Sequence, residues 1–352
     1  MYNRRGASSL LVEAINVNER IMTKIKYYKL PEPGIEPGTF RSSMQQAMLR
    51  CNGVQTQVIT EGRWVEEGLD PSGRKDLVLV IPGNPGVPSF YEGFIKALKS
   101  KLPSETPVWV IGHAGHVQPP SDLWFSPDDR TERNRYNLDG QRKHKTEFLK
   151  QYVPKDARIH LVGHSIGCWF ILKLLDESGY ADQIHKCYLL FPTIERMAES
   201  PSGKNMTGKI LPIASLIVFM SWLFSFLPYV LKSFLIRVFG GAFAGVTGKS
   251  VKPVVQLINP AVLRRVFRLA KDEMQQVKEL DHDAIERHAK KLFLYYGARD
   301  GWTPLSYYEE FRANHPNVEA ELCSRGFRHA FVLTNDKELG LMIGGRINAT
   351  IM

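Results

Sequence analysis

A chain of 352 residues, 43 % of them hydrophobic, can bury a sizeable core and has room for one large α/β domain plus an insertion, or two small domains. Its formal net charge of +10 is spread thinly. No basic block is interleaved with aromatics, so a nucleic-acid groove is not expected. Cys51, Cys168, Cys187 and Cys323 are scattered without a Cys-x-x-Cys pair, which argues against a disulfide scaffold or zinc site and fits a reducing compartment.

Residues 1–50 read as a flexible N-terminal extension. They lack the apolar core of a secretory signal. The run Pro31-Glu32-Pro33-Gly34-Ile35-Glu36-Pro37-Gly38 can continue neither a helix nor a central strand. One short apolar helix is expected there, over 10–25. A first stretch of folded core is assigned to 51–197, with folding expected from near Val54 and an early strand at 57–59. The unbroken run Leu77-Val78-Leu79-Val80-Ile81 is expected of a strand buried on both faces. It ends in Pro82-Gly83-Asn84-Pro85-Gly86, followed by an amphipathic helix over 91–98. A strand at 108–111 runs into Gly112-His113-Ala114-Gly115-His116, and 138–152 is helical. Next comes a strand, Arg158-Ile159-His160-Leu161-Val162, a Gly163-His164-Ser165-Ile166-Gly167 turn, and an apolar helix over 168–175. A further strand, 187–191, stops at Pro192. Strands and helices alternating at short spacing predict a mostly parallel central sheet flanked by helices on both faces.

The alternation breaks over 198–290, read as an apolar helical insertion. Between 210 and 231 there is no charged side chain, and the run includes Trp222, Phe224, Phe226 and Tyr229. Its length could span a bilayer. Pro212, Pro228 and three serines interrupt it, so a hairpin lying in a lipid interface is preferred to a buried cap helix, and both to a true span. Diffuse positive charge beside such a segment suits an anionic membrane surface. The stretch 259–278 reads as an amphipathic helix, with a second role facing a membrane. The sheet resumes in a second core stretch, 291–352, with strands at 292–296 and 318–322 around a helix over 304–314.

The chemistry centres on Ser165. A Gly-x-Ser-x-Gly turn between a strand and a helix is the setting of a nucleophile elbow, which lifts the serine hydroxyl above the sheet. The helix N-terminus then directs free N–H groups toward an oxyanion beside Ser165. A serine hydroxyl needs a base, an imidazole serves near neutral pH, and a carboxylate must orient the imidazole. In the α/β-hydrolase arrangement these follow in the order Ser, acid, His, each after a late strand. Asp300 sits just past the strand ending at Tyr296, and His329 follows the strand ending at Leu322. Asp272, Asp281 and Asp283 fall in the insertion, away from any strand end. His113 and His116 have metal-like spacing without an evident third ligand, and are expected to shape a loop. His164 is expected to pack. For the oxyanion hole, one N–H is expected from Ile166 and the other from Asn84, since Pro85 has none to give. Neither a metal nor an organic cofactor is called for.

Together, Ile81-Pro82-Gly83-Asn84-Pro85-Gly86, Gly112-His113-Ala114-Gly115-His116, Gly163-His164-Ser165-Ile166-Gly167, Leu190-Phe191-Pro192-Thr193-Ile194-Glu195-Arg196-Met197, Tyr295-Tyr296-Gly297 and His329-Ala330-Phe331 resemble the lipid droplet-associated hydrolase family. The resemblance runs from about Val54 to Phe331. It implies an α/β-hydrolase fold, a Ser165–Asp300–His329 triad, and residence on lipid droplets and the endoplasmic reticulum, on the cytosolic side. It further implies a serine hydrolase of neutral-lipid esters, with sterol (cholesteryl) esters as the substrate class, a role in lipid storage, and the insertion as a droplet-targeting monolayer hairpin. The alternative is a droplet-organising protein whose esterase activity is weak or vestigial. Two stretches depart from the family pattern. The first fifty or so residues match nothing in it, so a start near Met44 or Met48 is a candidate that an intact mass would decide. The glycine-rich 340–345 falls where a last helix should pack, and is expected to weaken support for the loop that carries His329.

Overall fold

The computed structural model describes residues 44–119, 134–176, 179–241 and 248–351; the helix expected over 10–25 therefore lies outside the described residues. The strands are β1 (Met44–Cys51), β2 (Val54–Glu61), β3 (Asp76–Ile81), β4 (Val108–Ile111), β5 (Arg158–His164), β6 (Ile184–Leu190), β7 (Leu292–Gly297) and β8 (Glu319–Cys323). They form a single sheet in the order β1-β2-β4-β3-β5-β6-β7-β8. β2 runs antiparallel to β1 and β4, and all other neighbours are parallel.

Around the sheet lie α1 (Glu92–Lys99), α2 (Leu138–Tyr152), α3 (Ile166–Leu175), α4 (Ala214–Ser225), α5 (Tyr229–Leu235), α6 (Val251–Leu257), α7 (Pro260–Gln276), α8 (Leu305–Asn314) and α9 (Asp336–Ile351). The central strand β3 shows why its sequence is apolar throughout. Leu77, Leu79 and Ile81 join the layer that holds Phe148 of α2 and Ile171 of α3. Val78 and Val80 join the opposite layer, with Phe94 and Leu98 of α1 and Leu339 and Ile343 of α9. Side chains alternate between faces, and a strand covered on both must be apolar at every position.

Three expectations are corrected. β1 lies inside the stretch read as a flexible extension: it pairs with β2 along its whole length. Its sequence, MQQAMLRC, hides this because an edge strand is half-covered and tolerates polar side chains. The glycine-rich stretch near the C-terminus belongs to α9, a full helix against α1. A Cβ at Gly340 would stand 2.5 Å from the Phe94 carbonyl oxygen, and one at Gly344 2.5 Å from that of Leu98. The glycines let two helix backbones approach closely, and the helix packs in the same layer as Phe327 and Phe331, which flank His329. Finally, α7 turns Val262, Leu263, Leu269 and Met274 into the core, with its Arg265 guanidinium 4.3 Å over the Tyr136 ring, so its apolar stripe is spent on the fold.

The insertion forms helices between β6 and β7. A helix over Pro201–Ser225 is long and apolar enough to cross a membrane by length and composition, and most of it is uncovered. After Phe226-Leu227-Pro228 the chain continues into α5, while α4 packs against α7. Phe226 is 68 % exposed and Val230 80 %, and Phe219, Trp222 and Phe234 are exposed as well. The insertion is thus helical and leaves large apolar side chains uncovered.

Candidate active site

β5 carries the chain to Ser165, and α3 carries it away. Ser165 adopts φ 54°, ψ −123°, a strained conformation for a residue with a side chain. Three features hold it there. Its N–H donates to the Leu190 carbonyl at the end of β6, at 3.0 Å. The Cys168 N–H donates to the Ser165 carbonyl, also at 3.0 Å. A Cβ at Gly167 would fall 2.2 Å from the Ile81 carbonyl oxygen, so only glycine lets α3 start this close to β3.

Asp300 and His329 reach the same point from the ends of β7 and β8. His329 Nδ1 lies 2.7 Å from Asp300 Oδ2, and His329 Nε2 lies 2.9 Å from Ser165 Oγ. The carboxylate fixes the tautomer: Nδ1–H donates to Asp300, leaving Nε2 to accept from the serine hydroxyl. Asp300 is itself held by the Trp302 N–H at 2.8 Å on Oδ1 and the Thr303 hydroxyl at 3.0 Å on Oδ2. Burial pushes its carboxyl up, but the adjacent His329 and these donors outweigh that and hold it below the usual carboxylate range. All three residues singled out in the sequence are thus brought into one hydrogen-bonded chain. Asp272, Asp281 and Asp283 are elsewhere: the Leu138 N–H donates to Asp272, and Asp281 caps a helix and pairs with Lys173.

The loop after β3 faces Ser165 from the other side. Its amides are largely committed. Pro82 and Pro85 have no N–H. The Gly83 N–H donates to Tyr91 Oη at 2.9 Å and the Gly86 N–H to His116 Nδ1 at 2.9 Å. His113 packs its ring against Gly86, so His113 and His116 do shape this loop. Asn84 lines the cavity beside Ser165, and Ile166 opens the first turn of α3. The Asn84 side-chain amide donates to the Val266 carbonyl in α7 at 3.1 Å, tying the loop to the insertion.

Ser165, His329, Gly83 and Asn84 form the floor of a cavity of about 680 Å³. Phe224 of α4, Leu235 of α5, and Ile236 and Phe239 beyond it roof that cavity from the insertion. Two neighbours of the site were not singled out in the sequence. Thr193 Oγ1 stands 3.4 Å from Ser165 Oγ. Glu273 of α7 borders the cavity fully buried, and burial pushes its carboxyl up to about 8 against a lowering hydrogen bond with Asn84. His164, expected to pack, also makes hydrogen bonds at both ring nitrogens. A polar residue at the elbow was a local signal for His164; Glu273 had none, being one acid on an amphipathic helix.

The comparisons with known proteins agree with this arrangement. The family model described as lipid-droplet associated hydrolase matches residues 74–332. A lipid droplet-associated hydrolase of Drosophila melanogaster is 40 % identical over 303 residues, covering 85 % of this chain and 97 % of that protein. The one of Homo sapiens is 36 % identical over 312 residues, covering 85 % and 94 %. Among solved structures, the thioesterase domain from the curacin biosynthetic pathway superposes with a TM-score of 0.55 at 14 % identity, over 86 % of this chain and 99 % of that one. A haloalkane dehalogenase from Agrobacterium tumefaciens gives 0.57 at 12 % identity, over 88 % and 96 %. At such identities the structures speak for the fold alone. The chain has the α/β-hydrolase fold and belongs to the lipid droplet-associated hydrolase family.

Proposed function

We propose that this droplet-associated hydrolase is a serine esterase that cleaves neutral-lipid esters, with sterol esters as the substrate class, and thereby serves lipid storage. In this reading Ser165 Oγ attacks the ester carbonyl while His329 Nε2 takes its proton. Asp300 orients the imidazole and stabilises the imidazolium. The N–H groups of Asn84 and Ile166 hold the developing oxyanion, where fixed donors act without reorganising. His329 then gives the proton to the departing alcohol, and water repeats the sequence on the acyl-enzyme.

One observation carries the substrate side: the helices that roof the cavity also leave large apolar side chains exposed away from it. Helices of that kind sit at a lipid boundary, where their apolar area leaves water. We assign the insertion around 210–231 to the droplet monolayer and the cytosolic face of the endoplasmic reticulum, with substrate passing from the lipid into the cavity under these helices.

The test supplies the purified chain with artificial droplets holding cholesteryl or triacylglycerol esters and measures released fatty acid. Release from sterol ester, absent with Ser165→Ala, is expected. Release only from triacylglycerol would remove the sterol assignment. Tight droplet binding without release from either would favour the organising role.

A further inference from the structure

Three buried side-chain and backbone groups outside the triad are joined in one directional chain. The Gly83 N–H donates to Tyr91 Oη at 2.9 Å. Tyr91 Oη lies 2.6 Å from His164 Nδ1, and His164 Nε2 lies 2.9 Å from the His329 carbonyl oxygen. A carbonyl only accepts, so His164 Nε2 must carry the proton. Nδ1 is then an acceptor, and the Tyr91 hydroxyl donates to it. Every donor therefore meets an acceptor, with no group left over. Burial and the neighbouring His329 push the His164 imidazole down to about 3, which keeps this neutral tautomer throughout the working range of an esterase.

The two ends of the chain matter. At one end, Gly83 precedes Asn84 and presses on the nucleophile: a Cβ at Gly83 would be 2.9 Å from Ser165 Cβ and 3.2 Å from His164 Nδ1. At the other end is the backbone of His329, whose ring alone is held by Asp300 and Ser165. The ring of His164 is wedged between these ends, with Phe331 at 4.8 Å and His329 at 5.3 Å between centroids. Tyr91 is 2 % exposed.

We infer that Tyr91 and His164 are positioning residues that lock the oxyanion-side loop and the His329 backbone to one another across Ser165. This rests on the triad reading above. Neither residue touches the reacting atoms; each fixes where the reacting groups stand, and misplacement by about 1 Å can cost 10²-fold in rate.

The test compares Tyr91→Phe, His164→Asn and His164→Gln in the full chain. It measures kcat and KM on a water-soluble ester, the fluorophosphonate labelling rate and the melting temperature. The glutamine amide can occupy the position of Nε2 and still donate to the His329 carbonyl, whereas the shorter asparagine cannot reach it. Loss of kcat by about 10-fold in Tyr91→Phe and about 10²-fold in His164→Asn is expected, with KM nearly unchanged and labelling slowed in parallel. His164→Gln keeps the link to His329 but not the one to Tyr91, so it should lose about as much as Tyr91→Phe, about 10-fold, and recover the rest of what His164→Asn loses, at equal melting temperature. Wild-type kcat in Tyr91→Phe and His164→Asn, or a glutamine variant as poor as asparagine, would overturn the proposal. So would activity losses that merely follow the melting temperature. If the unaltered chain fails to label, or Ser165→Ala still labels, the triad reading falls first and carries this one with it.

Discussion

Adjacent glycines of α9 should respond to alanine with opposite signs. Within a helix alanine is favoured over glycine by about 0.8–1.0 kcal/mol. At Gly345 an added Cβ meets nothing within 4 Å, so Gly345→Ala should stabilise by about that amount. At Gly344 the same atom would stand 2.5 Å from the Leu98 carbonyl oxygen and 2.9 Å from Lys101 Cβ. The first of these is backbone, which no rotamer change relieves. Overpacking of this kind costs about 2–3 kcal/mol, leaving Gly344→Ala a net 1–2 kcal/mol less stable after the helix gain. The two variants thus differ by about 2–3 kcal/mol. With an unfolding entropy near 2.1 cal/mol/K per residue, on the order of 0.6 kcal/mol/K for the folded part, their melting temperatures should separate by about 3–5 °C. Calorimetry of both variants beside the unaltered chain reads this directly. Two variants that stabilise alike would refute the close approach of α1 and α9. The consequence reaches the site, because Phe331, two residues after His329, is packed between Phe94 of α1 and Phe191.

Two further outcomes follow from exposure and burial. Phe226, Tyr229 and Val230 are 68 %, 59 % and 80 % exposed and do not line the cavity. Replacing all three by serine should lower droplet partition on the order of 10³-fold, taking roughly 1.5 kcal/mol per apolar side chain moved into lipid. Hydrolysis of a water-soluble ester should stay the same; undiminished flotation with droplets would remove the targeting role. Glu273 gives a pH signature. Burial raises its folded-state pKa from 4.5 to about 8, so its contribution to stability is complete below 4.5 and is lost progressively as pH rises through about 8. Glu273→Gln removes that dependence. Its melting temperature should exceed that of the unaltered chain most at pH 9 and least at pH 5, and a difference constant with pH would show that Glu273 is already ionised.

Much of the site was legible because its parts are local. A strand, a Gly-x-Ser-x-Gly turn and a helix are contiguous, and the positions of Asp300 and His329 after successive strands follow from chain order. Asn84 was chosen within its loop because prolines lack an N–H, and its place in the oxyanion hole belongs to the proposed mechanism. What escaped the sequence was set by tertiary packing. β1 looks polar because its outer edge has no partner strand. Gly340 and Gly344 look like helix breakers until α1 is seen against them. The Tyr91–His164 pair joins residues 73 positions apart, and nothing in either neighbourhood predicts the other. The stripe on α7 reads equally well as core or membrane face, and only its packing against α2, α4 and α6 decides it.

The central claim is that Ser165 is an activated nucleophile. It is tested most directly by reacting the folded chain with a fluorophosphonate and locating the adduct by peptide mass. Labelling confined to Ser165, and lost in both Ser165→Ala and His329→Ala, is the predicted result. A folded chain that takes up no label, or takes it elsewhere, would contradict the account.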